Sequence, residues 1–162
     1  MVEASKCFLA IFFMGMTLFY TSLGQDCSPN NYLAVHNEAR AMVGVGPLRW
    51  NGKLAAHAQR YANKRIKDCA LIHSGGIYGE NLAEGPILSG AEAVRFWVTE
   101  KSDYDFVSNR CVSGGTDCLH YTQIVWRKTI FVGCASVQCE NGSRFVICNY
   151  APRGNIMGRR PY

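Results

Sequence analysis

The sequence lacks several patterns that would assign it to a common class of protein. It contains no C-x-x-C pair and no His-Glu-x-x-His motif, so two frequent zinc signatures are missing. No dense run of lysine and arginine accompanies the formal net charge of +5, which argues against a nucleic-acid partner. Internal repeats, long linkers and low-complexity tracts are absent as well, and a length of 162 residues suits one domain.

Long apolar runs are scarce too, and the most pronounced one lies at the N-terminus. It extends from Cys7 to Tyr20, and Ser22 and Gly24 then supply small residues at the −3 and −1 positions of a cleavage site. The run is short for a membrane anchor and the chain turns polar directly after it, which is typical of a secretory signal peptide. We therefore predict a signal peptide at residues 1–24, export to the extracellular space and a mature domain of residues 25–162.

The last third of the chain has the periodicity of strands and predicts a β-hairpin. Residues 131–139 and 143–150 form the two expected strands, and a three-residue loop that ends in Gly142 lies between them. With Gly142 in the left-handed region, this loop length places Cys134 directly opposite Cys148. Directly opposed residues of an antiparallel pair are close enough for a disulfide, so we expect these two cysteines to be bonded.

The other cysteines extend this disulfide framework. Eight cysteines are present, and seven remain after removal of the signal peptide, which in a secreted chain predicts disulfides and one unpaired thiol. Cys27 is the expected orphan because it lies at the new N-terminus. Cys111 and Cys118 flank a short glycine-rich segment and can pair locally. Cys69 is then left for Cys139, although spacing alone does not settle that pair.

Helices are predicted in the first two thirds of the chain from their caps. Ser28, Asn51 and Ser89 are good N-cap residues, and Ser89 forms a capping box with Glu92. Apolar residues recur at helical spacing after each cap. In the first helix they are Tyr32, Val35, Ala39, Met42 and Val43. A glycine-rich loop is expected up to Gly79 and a short helix around residues 119–125. Helices followed by a hairpin, without βαβ alternation, predict an α+β layered fold.

Several segments carry a family resemblance that covers essentially the whole mature chain. Residues 120–129 read HYTQIVWRKT and residues 145–156 read FVICNYAPRGNI, and both resemble signature stretches of the CAP superfamily. Residues 32–40, 44–50 and 79–83 are also similar to segments of that family. The ending Arg-Pro-Tyr is similar to the plant pathogenesis-related protein 1 members.

The resemblance implies both a fold and a function. The implied fold is α+β, a three-layer α-β-α sandwich with a central antiparallel sheet braced by disulfides. The implied disulfide pairs are Cys69–Cys139, Cys111–Cys118 and Cys134–Cys148. The implied function is that of a secreted, monomeric, non-enzymatic plant defence protein with antimicrobial or antifungal action. Its expected partners are sterols or lipids of microbial membranes.

The resemblance also implies a central cleft with paired histidines and glutamates. The residues that match the family pattern are His73, Glu80, Glu100 and His120. Two imidazoles can hold zinc or another divalent metal, with carboxylates as ligands or as partners of the ligands. Three interpretations stay open: a hydrogen-bonded cluster that orients loops, a metal site, and the centre of a metal-dependent hydrolase. We expect no obligatory cofactor. His36 and His57 lie on predicted helices and are expected to be hydrogen-bonded or at the surface.

Two further features are expected near the surface. Tyr104 and Phe106 follow the third helix, in a neighbourhood that the family links to sterol or lipid binding. The alternative is that these aromatic side chains cap the core. Asn141 begins an N-glycosylation sequon at the hairpin tip, and a turn alone explains the same three residues.

The C-terminal tail, residues 152–162, reads PRGNIMGRRPY. It resembles the peptide that plant members of the family are thought to release as an immune signal, for which the partner would be a receptor. The tail follows the last cysteine and is cationic, which suits release. The alternative is a structural strap in which Tyr150, Ile156 and Met157 pack onto the domain. Ala151 stands where plant members usually have Asp, so we expect slow or absent cleavage after it.

Overall fold

The computed structural model describes residues 28–162. The predicted signal peptide, residues 1–24, and the expected orphan thiol of Cys27 lie outside the described residues. Within residues 28–162, no helix combines the length and the apolar character needed to cross a lipid bilayer.

Four α-helices form within the described residues. They are α1 Pro29–Ala41, α2 Gly52–Lys64, α3 Gly90–Thr99 and α4 Leu119–Ile124. The side chains of Ser28 and Asn51 cap α1 and α2 as predicted, and Ser89 forms the predicted capping box with Glu92 at the start of α3. The prediction that Met42 lies on the apolar face of α1 is wrong. This residue follows the helix as its C-cap and is 63% exposed.

Six strands form two sheets in the same part of the chain. They are β1 Arg49–Trp50, β2 Gly79–Gly85, β3 Tyr104–Asp105, β4 Arg110–Cys111, β5 Phe131–Gln138 and β6 Arg144–Ala151. The central sheet has the order β1-β5-β6-β2, and β3 pairs with β4 separately. β5, β6 and β2 are antiparallel neighbours, as expected, whereas the two-residue β1 runs parallel to β5. The strand β2 is not predicted from the sequence, because glycine, glutamate and asparagine have low strand propensity.

The β5–β6 hairpin has the predicted register. Cys134 lies opposite Cys148, and the three-residue loop ends in Gly142 with a φ of 87°. The Gly142 amide donates to the carbonyl of Cys139 at 3.0 Å and closes the turn. Three disulfides join described cysteines, and they are the pairs that the resemblance implies: Cys69–Cys139, Cys111–Cys118 and Cys134–Cys148.

Both faces of the central sheet are covered. Along β6, Phe145 and Ile147 belong to a hydrophobic cluster with α2, whereas Val146 and Tyr150 belong to a second cluster with α1, α3 and α4. This alternation follows from the two-residue period of a strand. Gly133 on β5 permits close packing of α2, since a Cβ there would lie 2.2 Å from a backbone nitrogen of that helix. The result is the expected α-β-α sandwich.

A buried arginine fixes the position of α4. Arg40 of α1 is 1% exposed, and its guanidinium donates to the carbonyls of Gly46, Ile124, Trp126 and Thr129 at 2.7–3.1 Å. Burial lowers the pKa of Arg40 to about 10, so the side chain still carries its charge at neutral pH. Because three of these carbonyls belong to the end of α4 or the loop after it, Arg40 anchors the helix that carries one cleft histidine.

Candidate functional site: a cleft, an aromatic loop and a docked tail

The four expected cleft residues form two histidine–glutamate pairs. Glu80 lies on β2, and its Oε1 is 2.8 Å from Nδ1 of His73 in the preceding loop. Glu100 follows α3 in a short 3₁₀ turn, and its Oε1 is 2.6 Å from Nδ1 of His120 in the first turn of α4. The fold therefore gives each histidine one carboxylate partner.

The first pair belongs to a longer chain of hydrogen bonds. The Glu80 side chain is 7% exposed and that of His73 is 63% exposed. Glu80 Oε1 also accepts from the Ser74 amide at 2.9 Å, and its Oε2 accepts from Asn149 Nδ2 at 3.3 Å. Asn149 Oδ1 in turn lies 3.1 Å from Nδ1 of His57. These contacts connect the glycine-rich loop through β2 and β6 to α2.

The sequence does not predict that Asn149 and His57 join the hydrogen bonds of the first pair. Asn149 lies within the second signature stretch, so a signal for it was present. His57 is 92 positions away from Asn149 in the chain, and nothing in the sequence connects the two. The ring of His57 makes an edge contact with Tyr78, with ring centroids 5.2 Å apart. The hydrogen bonds that begin at the His73–Glu80 pair thus reach α2.

The second pair caps a helix. Glu100 Oε2 accepts from the backbone amides of His120 and Tyr121 at 3.0 and 3.3 Å. The N-cap residue Cys118 makes no side-chain cap hydrogen bond, so Glu100 takes that role for α4. A carboxylate is also favourable at the positive end of a helix. The indole of Trp97 stacks on the His120 ring at 5.9 Å, which fixes its orientation.

The arrangement resembles that of oriented, metal-binding imidazoles. In each pair the carboxylate holds Nδ1, which leaves Nε2 as the ring nitrogen that can bind a ligand. Within residues 28–162, however, no three His, Cys, Asp or Glu side chains are grouped so that they could hold a metal ion. The observed hydrogen bonds suit a polar cluster that orients loops, and metal binding at His73 and His120 stays a prediction.

A buried histidine lies behind the cleft. His36 is hydrogen-bonded, as expected, through Nδ1 to the Tyr32 carbonyl and through Nε2 to the Tyr150 hydroxyl, each at 2.8 Å. Burial is the main cause that lowers its pKa to about 4, so the ring is neutral at pH 7. Nδ1 therefore donates and Nε2 accepts the Tyr150 proton. Asn81 Nδ2 donates to the Tyr150 oxygen at 3.2 Å and to the His120 carbonyl at 3.1 Å, which joins His36 to the second pair.

The two residues of the predicted lipid-binding loop have different environments. Tyr104 packs against the core, with its ring 6.3 Å from Tyr121, and donates its hydroxyl proton to Asn109 Oδ1 at 2.8 Å. Burial raises the pKa of the Tyr104 hydroxyl. Phe106 is 46% exposed and stacks on Tyr162 at 5.1 Å. Of the two, Phe106 is the side chain available to a partner.

The first half of the tail is hydrogen-bonded to α4. The buried Gly154 amide donates to Gln123 Oε1 at 2.9 Å. Asn155 accepts from the Thr122 hydroxyl at 2.8 Å and donates to the Leu119 carbonyl at 2.8 Å. Met157, expected to pack in a strap, is 98% exposed, so that part of the prediction is wrong.

The second half of the tail contacts the aromatic loop, the segment that carries Tyr104 and Phe106. The Arg160 guanidinium donates to the carbonyls of Phe106 and Val107 and lies 5.1 Å from the centre of the Phe106 ring. The buried Pro161 carbonyl accepts from the Arg127 amide at 2.7 Å. The tail is thus a docked strap held by backbone and side-chain hydrogen bonds. Of the three residues expected to pack, Tyr150 is fully buried and Ile156 is partly buried.

The glycosylation candidate lies at the exposed tip of the β5–β6 hairpin. Asn141 Oδ1 accepts from the Ser143 amide at 3.0 Å and stabilises the turn. The residue is exposed, which an acceptor requires, and modification at this position stays a prediction.

The sequence is similar to a family model and to named plant proteins. A family model described as "Cysteine-rich secretory protein family" (CAP) matches residues 33–150. The chain is 52% identical over 155 residues to the "Basic form of pathogenesis-related protein 1" of Nicotiana tabacum, covering 95% of this chain and 86% of the relative. It is 52% identical over 146 residues to "Pathogenesis-related protein 1" of Arabidopsis thaliana, covering 90% and 88%.

A solved structure extends the similarity to the fold. The Schistosoma mansoni venom allergen-like protein 4 is 29% identical, with a TM-score of 0.67, and the alignment covers 86% of this chain and 95% of that one. None of these three names denotes an enzyme.

Proposed function

Because the chain belongs to the cysteine-rich secretory protein (CAP) family, in its plant pathogenesis-related protein 1 branch, we propose that it is a secreted plant defence protein. In this proposal it acts on microbial membranes by binding sterol or another lipid, without catalysis. The observation that carries the proposal is the identity of 52% to pathogenesis-related proteins over most of both chains. The predicted signal peptide, residues 1–24, and the described disulfides support an extracellular site of action.

The segment from Phe106 to Val112 supports lipid binding. Phe106, Val107 and Val112 are 46%, 83% and 69% exposed, although apolar side chains of this size are favourably buried. The β3–β4 pair and the Cys111–Cys118 disulfide hold them on a stiff scaffold. Exposed apolar side chains grouped on a rigid segment suit contact with an apolar partner such as a sterol.

The cleft supports a structural role better than a catalytic one. The Glu80 and Glu100 carboxylates each accept three hydrogen bonds from protein groups. Glu80 thereby holds the loop that carries His73, and Glu100 caps α4. The metal-dependent hydrolase expected as an alternative gains no support from the names of the relatives. If zinc binds, His73 and His120 would supply its nitrogen ligands.

Release of the tail as a signalling peptide is supported less well than its role as a strap. Ala151 is the last residue of β6, pairs with Phe131, and accepts from the Ile130 amide at 3.1 Å. A protease needs an extended, accessible backbone, so cleavage after Ala151 requires the end of the sheet to open first. This adds to the expectation of slow cleavage.

A sterol-binding assay tests the proposal. Replacing Phe106 and Val107 together by Ser should weaken the binding of ergosterol to the mature protein by about tenfold or more, because two apolar contacts are lost. Tyr104 is left unchanged because it packs into the core. Ile87→Ser is the matched control, since Ile87 is 90% exposed in a different loop. Binding that is unaffected by the double replacement, with the thermal midpoint unchanged, would contradict the assignment.

A further inference from the structure

One exposed side of α2 carries a row of cations, Lys53, Arg60 and Lys64, which we call the α2 row. An α-helix turns by about 100° per residue, so these three residues lie within about 40° of one another around the helix axis. At a rise of about 1.5 Å per residue, the row is about 16 Å long. Lys67, which is also exposed, follows in the turn after the helix. The cations are spread out in the sequence, and the helix brings them into line.

The α2 row has no acidic partner within its own helix. The segment Gly52–Lys64 contains no aspartate or glutamate, and no cation of the row forms an ion pair with another described residue. Asp68, beyond the end of the helix, is paired with Arg65 at 3.2 Å. Glu140 also lies beyond that end, where its amide donates to the Ile66 carbonyl at 2.9 Å. The electrostatic potential along the row is therefore positive.

The stability of the helix does not explain this arrangement. Lys53 is in the first turn of α2, where a cation meets the positive end of the helix dipole. Arg60 and Lys64 are four residues apart, and like charges at this spacing repel each other. Lys64 alone is placed favourably, because it lies in the last turn. The row therefore lowers the stability of the helix, and an anionic partner outside the chain would offset that loss.

The α2 row stands on a rigid support. Ala58 and Ala62, on the opposite side of the helix, are fully buried against the sheet, and the Cys69–Cys139 disulfide ties the chain after α2 to the turn of the hairpin. A partner therefore meets charges on an ordered backbone, and binding loses little chain entropy. No large apolar side chain of α2 is exposed, whereas a helix that lies on a membrane places such side chains beside its cations.

We propose that the α2 row binds a linear acidic polysaccharide whose sugar units carry carboxylates, that is, a polyuronate. Carboxylates along the polymer pair with Lys53, Arg60 and Lys64, and Lys67 extends the contact. Each exposed pair is weak, but several pairs along one chain add up to a useful affinity. The inference goes beyond the proposed function and rests only on its extracellular location, because the face and the class of partner are both different from those of sterol binding.

A galacturonate oligomer long enough to span the row is the probe. Calorimetry on the mature protein should detect binding at low salt and none in about 1 M NaCl, where the Debye length is about 3 Å. Lys53→Gln combined with Arg60→Gln should weaken binding by about tenfold, because two ion pairs are lost. Arg95→Gln combined with Lys101→Gln is the matched control, which removes the same charge from exposed positions of α3 and the turn after it. The control should bind within about twofold of wild type.

The methyl-esterified oligomer lacks the negative charges and should not bind. Three results would overturn the proposal: no binding of the charged oligomer at low salt, equal binding of the charged and esterified oligomers, and equal losses in the two double variants. The thermal midpoint of the Lys53 and Arg60 variant should match that of the wild type, since neither side chain forms an ion pair with a described residue.

Anionic vesicles are tested in parallel, because Leu71 and Ile72 are exposed in the loop that follows α2. The protein should not sediment with phosphatidylserine vesicles through the α2 row. Sedimentation that is lost in the Lys53 and Arg60 variant, without binding of the oligomer, would assign the row to a membrane surface and overturn the proposal. Ergosterol binding of the same variant tests the proposed function separately, since Phe106 and Val107 lie outside α2.

Discussion

The β5–β6 hairpin and the tail that follows it are attached to the domain in different ways. The hairpin has an uninterrupted ladder from Phe131 to Ala151 and two disulfides that involve its strands or turn. Residues 145–150 are all buried, whereas in the tail only Gly154 and Pro161 are buried. The tail has no strand and no disulfide, and its contacts are separate hydrogen bonds and ring contacts.

The difference separates the part that maintains the fold from the part that can open. A paired and cross-linked strand is released only when the whole domain unfolds, whereas a segment held by a few surface contacts can open locally. Phe106 and Val107, two of the exposed apolar residues, lie beside the tail, where Arg160 donates to their carbonyls. Lipid binding and proteolysis are therefore expected where the attachment is weakest, and the hairpin is expected to be unaffected by either.

Removing the disulfide between the strands should have the largest effect on stability. Cys134→Ala combined with Cys148→Ala frees a loop with a sequence separation of 14 residues, so the free energy of unfolding should fall by about 3 kcal/mol. Urea denaturation of the mature protein measures this loss. A loss below about 1 kcal/mol would show that the ladder alone holds the hairpin and would weaken the contrast with the tail.

The end of the hairpin should also be sensitive to pH through His36. The ring is buried against Tyr150 and its pKa is lowered from 6.5 to about 4, so the unfolded chain binds a proton between these values and the folded chain does not. Stability is complete above pH 6.5 and falls as the pH drops toward 4, by about 2 kcal/mol between pH 7 and pH 5.

His36→Gln isolates this contribution. The amide can still donate to Tyr32 and accept from Tyr150, but it does not titrate. The difference in unfolding free energy between wild type and variant should shrink as the pH falls from 7 to 5. A constant difference across this range would mean that the pKa of His36 is the same in the folded and the unfolded chain, which would contradict the prediction.

Replacing the tail arginine should have the smallest effect. Arg160→Gln removes the guanidinium hydrogen bonds to Phe106 and Val107 and the contact with the Phe106 ring. Docking of the tail should weaken by about 1 kcal/mol, while urea unfolding of the domain stays within about 0.5 kcal/mol of wild type. Arg153→Gln, in the same tail, should change neither quantity. A global loss as large as that of the disulfide variant would contradict the separation of the two regions.

The hairpin could be predicted because its determinants are local. Strand periodicity, a glycine suited to a positive φ and the positions of Cys134 and Cys148 all lie within about twenty residues, and together they define one register. The helix caps at Ser28, Asn51 and Ser89 are local in the same sense. Met42 was misplaced because α1 ends at Ala41, so helical spacing no longer decides which way the next side chain points.

The cleft and the tail depended on distant contacts and were predicted only in part. Motif resemblance supplied His73, Glu80, Glu100 and His120, yet Asn149 and His57 meet only because β6 passes next to α2. The strand that carries Glu80 forms because β6 offers it a partner, against its own propensity. The docking of the tail through Gly154, Arg160 and Pro161 depends on the surface of α4 and the aromatic loop, which no periodicity within the tail encodes.

Hydrogen exchange at two amides tests most directly whether the tail is docked on the domain. The Arg127 amide donates to the Pro161 carbonyl and the Gly154 amide donates to Gln123, so both are protected only while the tail is in place. NMR on the mature wild-type protein should show both amides exchanging about 100-fold or more slowly than in an unstructured peptide. Exchange of both at the unstructured rate, while the β5–β6 amides stay protected, would contradict the account.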